Sequence, residues 1–229
     1  MRVLRNLILF TAIVWGSVAA LECGAQTHYS SRISVGAHAG LDLSMVNFSP
    51  SVRQSMLPGA NAGLNFRYTE ENHFGFVVEV NWEQRGWKEN FDGAPFSYSR
   101  TVDFIQIPFM SHIYFGNRHK FFINLGPSIG FRIGDAAKSN FDYEHVSSVP
   151  DFPLHTSQQY GYPTKAKVDF GISGGLGGEL GINSRNSLYL EARYYFGIAN
   201  LLPAGRADHF KSSNPMTLSV SLGYWFRVK

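Results

Sequence analysis

The chain has one cysteine in 229 residues, and Asp, Glu, Lys and Arg together make up only 16% of it. Soluble domains typically carry ~25% charged residues. A lone Cys23 excludes an internal disulfide, so stability must come from pairing and burial alone. Net charge is +3, with the basic residues scattered and no basic tract, which excludes a nucleic-acid-binding surface. Beyond the first residues there is no apolar run of the ~20 needed for a spanning helix. Nucleotide loops are missing too. The stretch VDFGISGGLGGELGI at 168–182 is rich in glycine, yet none of its glycines starts a G-x-G-x-x-G, and no Gly-Lys-Ser/Thr follows. None of the histidines pairs at metal-ligand spacing. No cofactor or metal is expected.

What is present is glycine, aromatics and alternation. There are 23 Gly, 19 Phe and 11 Tyr. Read in twos, 168–182 sets Phe170, Ile172, Leu176, Leu180 and Ile182 on one face. Asp169, Gly171, Ser173, Gly175, Gly177 and Glu179 take the other. That is a strand with one greasy side and one small or polar side. Seven more segments read the same way: 32–43, 59–68, 74–87, 102–115, 121–133, 188–198 and 217–228. They run about ten to fifteen residues, where ordinary strands average ~5–6 and a tilted membrane strand needs ~9–11. Connections alternate in length. Those at 69–73, 116–120 and 184–187 are short; those at 44–58, 88–101, 134–165 and 199–215 are long. Short turns on one side and long loops on the other is the layout of an outer-membrane barrel, with both termini on the periplasmic side.

The start of the chain, MRVLRNLILFTAIVWGSVAALECGAQ, reads as a secretory signal. Arg2 and Arg5 precede an apolar run over 7–21, and Cys23-Gly24-Ala25 offers small residues for cleavage before Gln26. Cleavage after Ala20 is an alternative. A lipidated Cys23 is disfavoured because Glu22 sits where a small residue is expected. The expected organisation is a leader at 1–25 and a barrel domain at 26–229.

A lipocalin-like soluble barrel also alternates, with its apolar side inward. Two features argue for lipid outside. The apolar faces carry almost no charge, Asp103 at a strand end being the exception, and charge on a lipid face costs up to ~2–4 kcal/mol. The polar faces are too rich in glycine for a solvated sheet but suit a narrow, filled lumen. The expected lumen network comprises Arg32, Asp42, Arg67, Glu79, Glu83, Arg85, Arg132, Asp169, Glu179, Glu191, Arg193 and Arg227. Equal numbers of the two signs would let it neutralise itself. Phe66, Tyr68, Phe74, Phe76, Phe115, Phe121, Tyr224 and Phe226 fall on outward positions near the short turns and form an expected aromatic girdle. A thinner opposite rim has Trp82, Phe170, Tyr194 and Phe196. Pro108 and Pro127 sit inside strands of a sheet without edges, which predicts local bulges.

With VGAHAGLDLS, VVEVNWEQRGW, DFIQIPFMSHIYFG, FFINLGPSIGF, DFGISGGLGGELGI and LSVSLGYWF in this order, the chain resembles the Gram-negative outer-membrane β-barrel families. These include the PorT-like proteins, often labelled porin family. The resemblance covers most of the mature chain and includes the Ile-Pro and Gly-Pro placements. It implies fold and compartment; the secretion role of PorT itself does not follow from it. One departure is the chain end, where Arg227-Val228-Lys229 follows the final aromatic.

The expected fold is therefore an all-β, eight-stranded, antiparallel, up-and-down transmembrane barrel in the outer membrane. Three functions compete. An enzyme would need a nucleophile and base in reach, and Ser34, His38 and Asp42 on one strand are each four residues, ~13 Å, from the next. A small porin is opposed by the width of an eight-stranded barrel, which its own side chains fill. A structural or surface-interaction protein fits best. Its partners would be outer-membrane lipid and, through the long loops, an envelope or extracellular protein. In the longest loop, Phe141, Tyr143, Phe152, Tyr160 and Tyr162 suit either recognition or rim packing. The expected state is a monomer.

Overall fold

A computed structural model describes residues 31–153, 158–160, 162–164, 167–206 and 208–229. The expected leader at 1–25 lies outside these. Eight long strands form the structure: β1 Arg32–Ser49, β3 Leu57–Glu71, β4 Phe74–Glu89, β5 Tyr98–Phe115, β6 His119–Ser139, β7 Val168–Gly181, β8 Asn186–Gly197 and β9 Ser212–Arg227. A two-residue β2, Gln54–Ser55, pairs with the far end of β4. Each long strand runs antiparallel to the next, and β1 returns to β9 through sixteen residue pairs from Ser34↔Arg227 to Ser49↔Ser212. The sheet is a closed ring of eight, so every long strand has a neighbour on both sides. Closure is what lets a sheet cross a bilayer, because no edge is left to expose unpaired N–H and C=O groups to lipid. Among the described residues no helix is long and apolar enough to cross a membrane; the crossing is made by strands.

The turns joining β3 to β4, β5 to β6 and β7 to β8 are short, and the start of β1 and the end of β9 lie on their side. The amide of Ile33 donates to the carbonyl of Lys229 at 3.0 Å. His73 and Gly116 take positive φ, 73° and 102°, in the first two of these turns, the left-handed geometry such tight reversals require.

The molecule is a soluble protein turned inside out over most of its height. Leu41, Leu64, Leu125, Leu176, Leu180, Leu190 and Leu222 all point outward and are more than half exposed. Asn65, Glu79, Asn81, Gln106, His112, Asn124 and Asp169 point inward and are buried. Towards the long loops this polarity reverses. At the end of β1, Val46 and Phe48 turn inward while Asn47 and Ser49 turn outward. At the start of β5, Tyr98, Val102 and Phe104 turn inward while Ser99, Thr101 and Asp103 turn outward. The chain keeps alternating; only the surroundings change, from lipid outside to water outside. Segments expected at 32–43 and 102–115 therefore extend to Ser49 and back to Tyr98. Asp103, the odd charge on the outer phase, belongs to this water-facing extension.

Bulges expected at Pro108 and Pro127 are absent. β5 and β6 keep one register across them, from Pro108↔Ser128 to Ser111↔Leu125, with the pairs between skipped. A proline without an N–H interrupts the ladder there without shifting it. The register shifts instead at Asp103/Phe104 and at Thr69/Glu71, where the strands leave the membrane zone.

Inward glycines leave space for inward aromatics. A Cβ on Gly223 would lie 2.3 Å from the Tyr189 ring, and one on Gly177 would lie 2.5 Å from Phe122. Both rings fill the lumen near the short turns, with Trp225, Tyr114 and Met110. The glycine-rich β7 thus serves close approach of side chains across a narrow barrel.

Candidate functional site: the lumen and its two mouths

The twelve charges named from the sequence separate into three places. Eight meet inside the barrel in three groups. Arg67 of β3 donates to both oxygens of Glu179 on β7, at 2.5 and 3.3 Å. Arg193 of β8 grips both oxygens of Glu79 on β4, at 2.6 and 2.8 Å, and Glu191 at 2.8 and 3.3 Å. Arg85 of β4 reaches Glu83 at 2.5 Å and Asp169 at 3.1 Å. Planar guanidinium forks suit this, since each can serve two carboxylates while its face stacks on a ring. Arg85 lies 3.9 Å from the centre of the Tyr195 ring, and Arg67 lies 4.5 Å from that of Trp225.

A ninth, Asp42, is also buried but accepts from the amide of Asn61 at 2.6 Å. The remaining three sit at the mouths. Arg132 bonds Thr164 and lies 3.5 Å from Asp135 at the long-loop end. Arg32 and Arg227 line a cavity at the short-turn end. The lumen proper therefore does not hold equal charges, as the sequence alone suggested. Its three arginines meet five carboxylates, with Lys120 drawing to 3.6 Å from Glu179. Lys120 was missed because it was assigned to the turn, although it shares the inward phase of Phe122 and Asn124.

Neutral side chains fill the rest. His38 shares a hydrogen bond with Asn65 at 2.8 Å, and Asn65 donates to the Tyr189 hydroxyl at 2.6 Å. His112 shares one with Asn124 at 2.7 Å, and Asn124 donates to Glu191 at 3.0 Å. His38 and Asp42 thus bond to different partners on β3, and no Ser34–His38–Asp42 relay forms. Among the described residues no cluster of three metal-ligating side chains occurs. At mid-lumen, between His38, Glu83, Glu191 and Arg193, the free space is only ≈ 10 Å³, about the size that holds one water.

The long loops close the other mouth. Phe91, Tyr160, Leu201, Leu202 and Phe210 pack with the inward Val46, Phe48, Trp87, Tyr98, Val102 and Phe104 into one buried cluster. Phe141, Tyr143, Phe152 and Tyr162 lie partly buried against it. Of the two readings of these loop aromatics, the structure supports rim packing. A polar latch sits within the cap. Glu89 accepts from the Tyr160 hydroxyl at 2.6 Å and from Gln159 at 2.8 Å. Burial, then the nearby Glu89 charge, pushes the Tyr160 phenol up, so it stays protonated and donates. Arg100 holds both oxygens of Asp135 at 2.8 Å and the carbonyl of Tyr162 at 2.8 Å.

The eight aromatics expected as a girdle stand on outward positions at the short-turn end. Phe115, Phe121 and Phe66 are about half exposed, at 52%, 48% and 44%. Phe115 pairs with Phe121 and Tyr68 with Phe76 across neighbouring strands, and Phe74 packs edge-on against Phe76 at 5.1 Å. Tyr224 and Phe226 continue the band on β9.

An apolar belt, a closed ring of eight strands and a lumen packed with ion pairs define a small outer-membrane β-barrel protein. The chain belongs to the family of outer membrane protein beta-barrel domains, whose model matches residues 24–202. It is an outer membrane protein. No curated protein matches it significantly. Similar solved structures include OprG from Pseudomonas aeruginosa, at 11% identity and TM-score 0.49 over 86% of this chain and 95% of that one. Neisserial surface protein A is similar at 12% identity and TM-score 0.45, over 85% and 98%. The outer membrane enzyme PagL is similar at 15% identity and TM-score 0.33, over 84% and 98%.

Proposed function

We propose that this is a closed, non-enzymatic barrel that serves a structural or surface-interaction role, with lipid around it and its loop cap turned to the exterior. The observation that carries this reading is the set of three ion-pair groups crossing the lumen, beside which the mid-lumen cavity lined by His38, Glu83, Glu191 and Arg193 holds only ≈ 10 Å³. A small porin needs a continuous aqueous path, and eight strands enclose only enough width for their own side chains. An enzyme would need a nucleophile beside a base, and the lumen histidines bond to asparagines instead.

Planar-bilayer recording tests this. The purified barrel is expected to give no large, steady unitary conductance. The same is expected when residues 140–167 are replaced by a short turn, because the plug lies in the strands and not in the loops. A steady step from the intact protein would overturn the closed-barrel reading. Unchanged binding of the loop-shortened protein to its cell-surface partners would overturn the interaction role.

A further inference from the structure

Above the membrane zone the strands end at different heights, and an overhanging strand leaves an edge. Several such edges are covered. At the end of β1 the Gln54 side chain takes a strand's place, donating to the Val46 carbonyl at 2.5 Å and accepting from the Val46 amide at 3.0 Å. Beside β9 the amide of Leu201 donates to the Ser213 carbonyl at 2.8 Å. At the end of β4 the short β2 supplies a neighbour. β6 differs. β7 pairs with it only up to Phe131↔Val168, and one further bond runs from the Arg132 amide to the Lys167 carbonyl at 2.9 Å. β6 continues to Ser139, paired there with β5 alone.

The ladder fixes which groups this leaves free. The Asn140 amide donates to the Ser97 carbonyl at 3.2 Å, and backbone groups alternate sides along a strand. Lys138, Ala136 and Gly134 therefore turn their N–H and C=O groups towards β5. Asp135, Ala137 and Ser139 turn theirs away from it, and among the described residues no backbone partner meets them. Exposure agrees. The Asp135 side chain is held by Arg100 and is only 19% exposed, yet the residue as a whole is exposed, so its main chain meets solvent. Ala137 lies on the same side as Asp135 and is exposed as well, so the cap does not reach over it. An open edge of this kind is a template for another strand.

We propose that the free edge of β6 at residues 135–139 accepts an extended segment of another exported protein as an added strand. Main-chain bonds to Asp135, Ala137 and Ser139 hold the segment. Its side chains lie against Ala136 on the outer face and Ala137 on the inner one, and these small neighbours leave room for β-branched or aromatic residues. Lys138, exposed and without an ion-pair partner among the described residues, draws an acidic residue. A second copy of the chain does not fit. Antiparallel pairing of like edges inverts one barrel in the membrane. Parallel pairing about a twofold axis sets Ala137 opposite Ala137, whereas slanted parallel bonds link staggered residues. The edge gives the surface-interaction role proposed above, on which it depends, a definite place.

The test titrates a fluorescent peptide, a short alternation of valine and threonine around a central glutamate, into the full mature barrel in dodecyl maltoside micelles. Anisotropy is expected to show saturable binding, and NMR to show slowed exchange of the Asp135, Ala137 and Ser139 amides. Ala137→Pro removes the central edge donor and leaves the bonds to β5 in place. It is expected to weaken binding by roughly tenfold. The same peptide N-methylated at every residue cannot donate and is expected not to bind, an arm that requires no variant to fold. Absence of saturable binding, equal binding of the methylated peptide, or equal affinity in a folded Ala137→Pro barrel overturns the edge site. Self-association of the wild-type barrel that the peptide competes away assigns the edge to a second copy and overturns the proposed partner. Peptide binding is read on purified protein, independently of the cell-binding test of the interaction role, so the two fail separately.

Discussion

Arg193→Ala is expected to destabilise the barrel by about 3–5 kcal/mol, the usual consequence of leaving a buried charge without its partner. Arg193 is bonded to both Glu79 and Glu191. Its removal leaves two buried carboxylates without the guanidinium they share. Each loses its charge-assisted hydrogen bonds, and the two repel. Urea unfolding of the protein in phospholipid vesicles, followed by tryptophan fluorescence, measures the loss. The triple variant Arg193→Met, Glu79→Gln, Glu191→Gln is expected to recover most of it, because neutral replacement of a whole buried ion cluster is often tolerated. If the single variant loses less than ~1 kcal/mol, a typical surface-pair value, these pairs do not hold the lumen together. If the triple variant is as unstable as the single one, packing rather than charge is the cause.

Trp87→Ala is expected to open the loop cap while leaving the membrane zone intact. Trp87 is fully buried, 5.3 Å edge-on to Phe48 and 6.4 Å from Tyr98, with Arg100 over its ring at 5.8 Å. Truncating a buried tryptophan costs ~3–5 kcal/mol. Here the loss falls on a cluster whose other members lie largely in loops. Protease added to intact cells is therefore expected to cut within 140–167 or 198–211 far faster in the variant. The heat-dependent gel shift of the folded barrel should persist. Cleavage at the wild-type rate would mean the cap is held by Glu89, Arg100 and Asp135 rather than by its aromatic core. Loss of the gel shift would mean that cap and barrel unfold as one.

The membrane zone was legible from sequence because alternation and environment agree there. Leu176, Leu180 and Leu190 mark the outer face without any knowledge of the fold, and Glu79, Asp169 and Glu191 mark the inner one. Strand ends were not legible for a specific reason. Val46, Phe48, Val102 and Phe104 sit on the inward phase, and a rule that assigns apolar residues to lipid reads them as a break in the pattern. The signal was present as an inversion of phase, not as its loss. Glu89 was missed for the same cause, since it continues the inward phase of Arg85 and Trp87 past the point where 74–87 was ended. Which charges pair could not be read at all. Arg67 and Glu179 lie far apart in the chain, and their meeting depends on how many strands close the ring and with what stagger. The division between lumen and mouths needed the turn positions of Arg118 and Arg185, which alternation does not constrain.

The ion pairs also bear on mechanics. In the ring, β3 stands opposite β7 and β4 stands opposite β8, so Arg67–Glu179 and Arg193–Glu79 span the full diameter. Arg85–Asp169 crosses almost as far, from β4 to β7. A thin-walled tube under sideways pressure fails by flattening into an oval. Spokes at successive heights oppose that mode, so the cross-section stays round when lipids thicken or crowd around it.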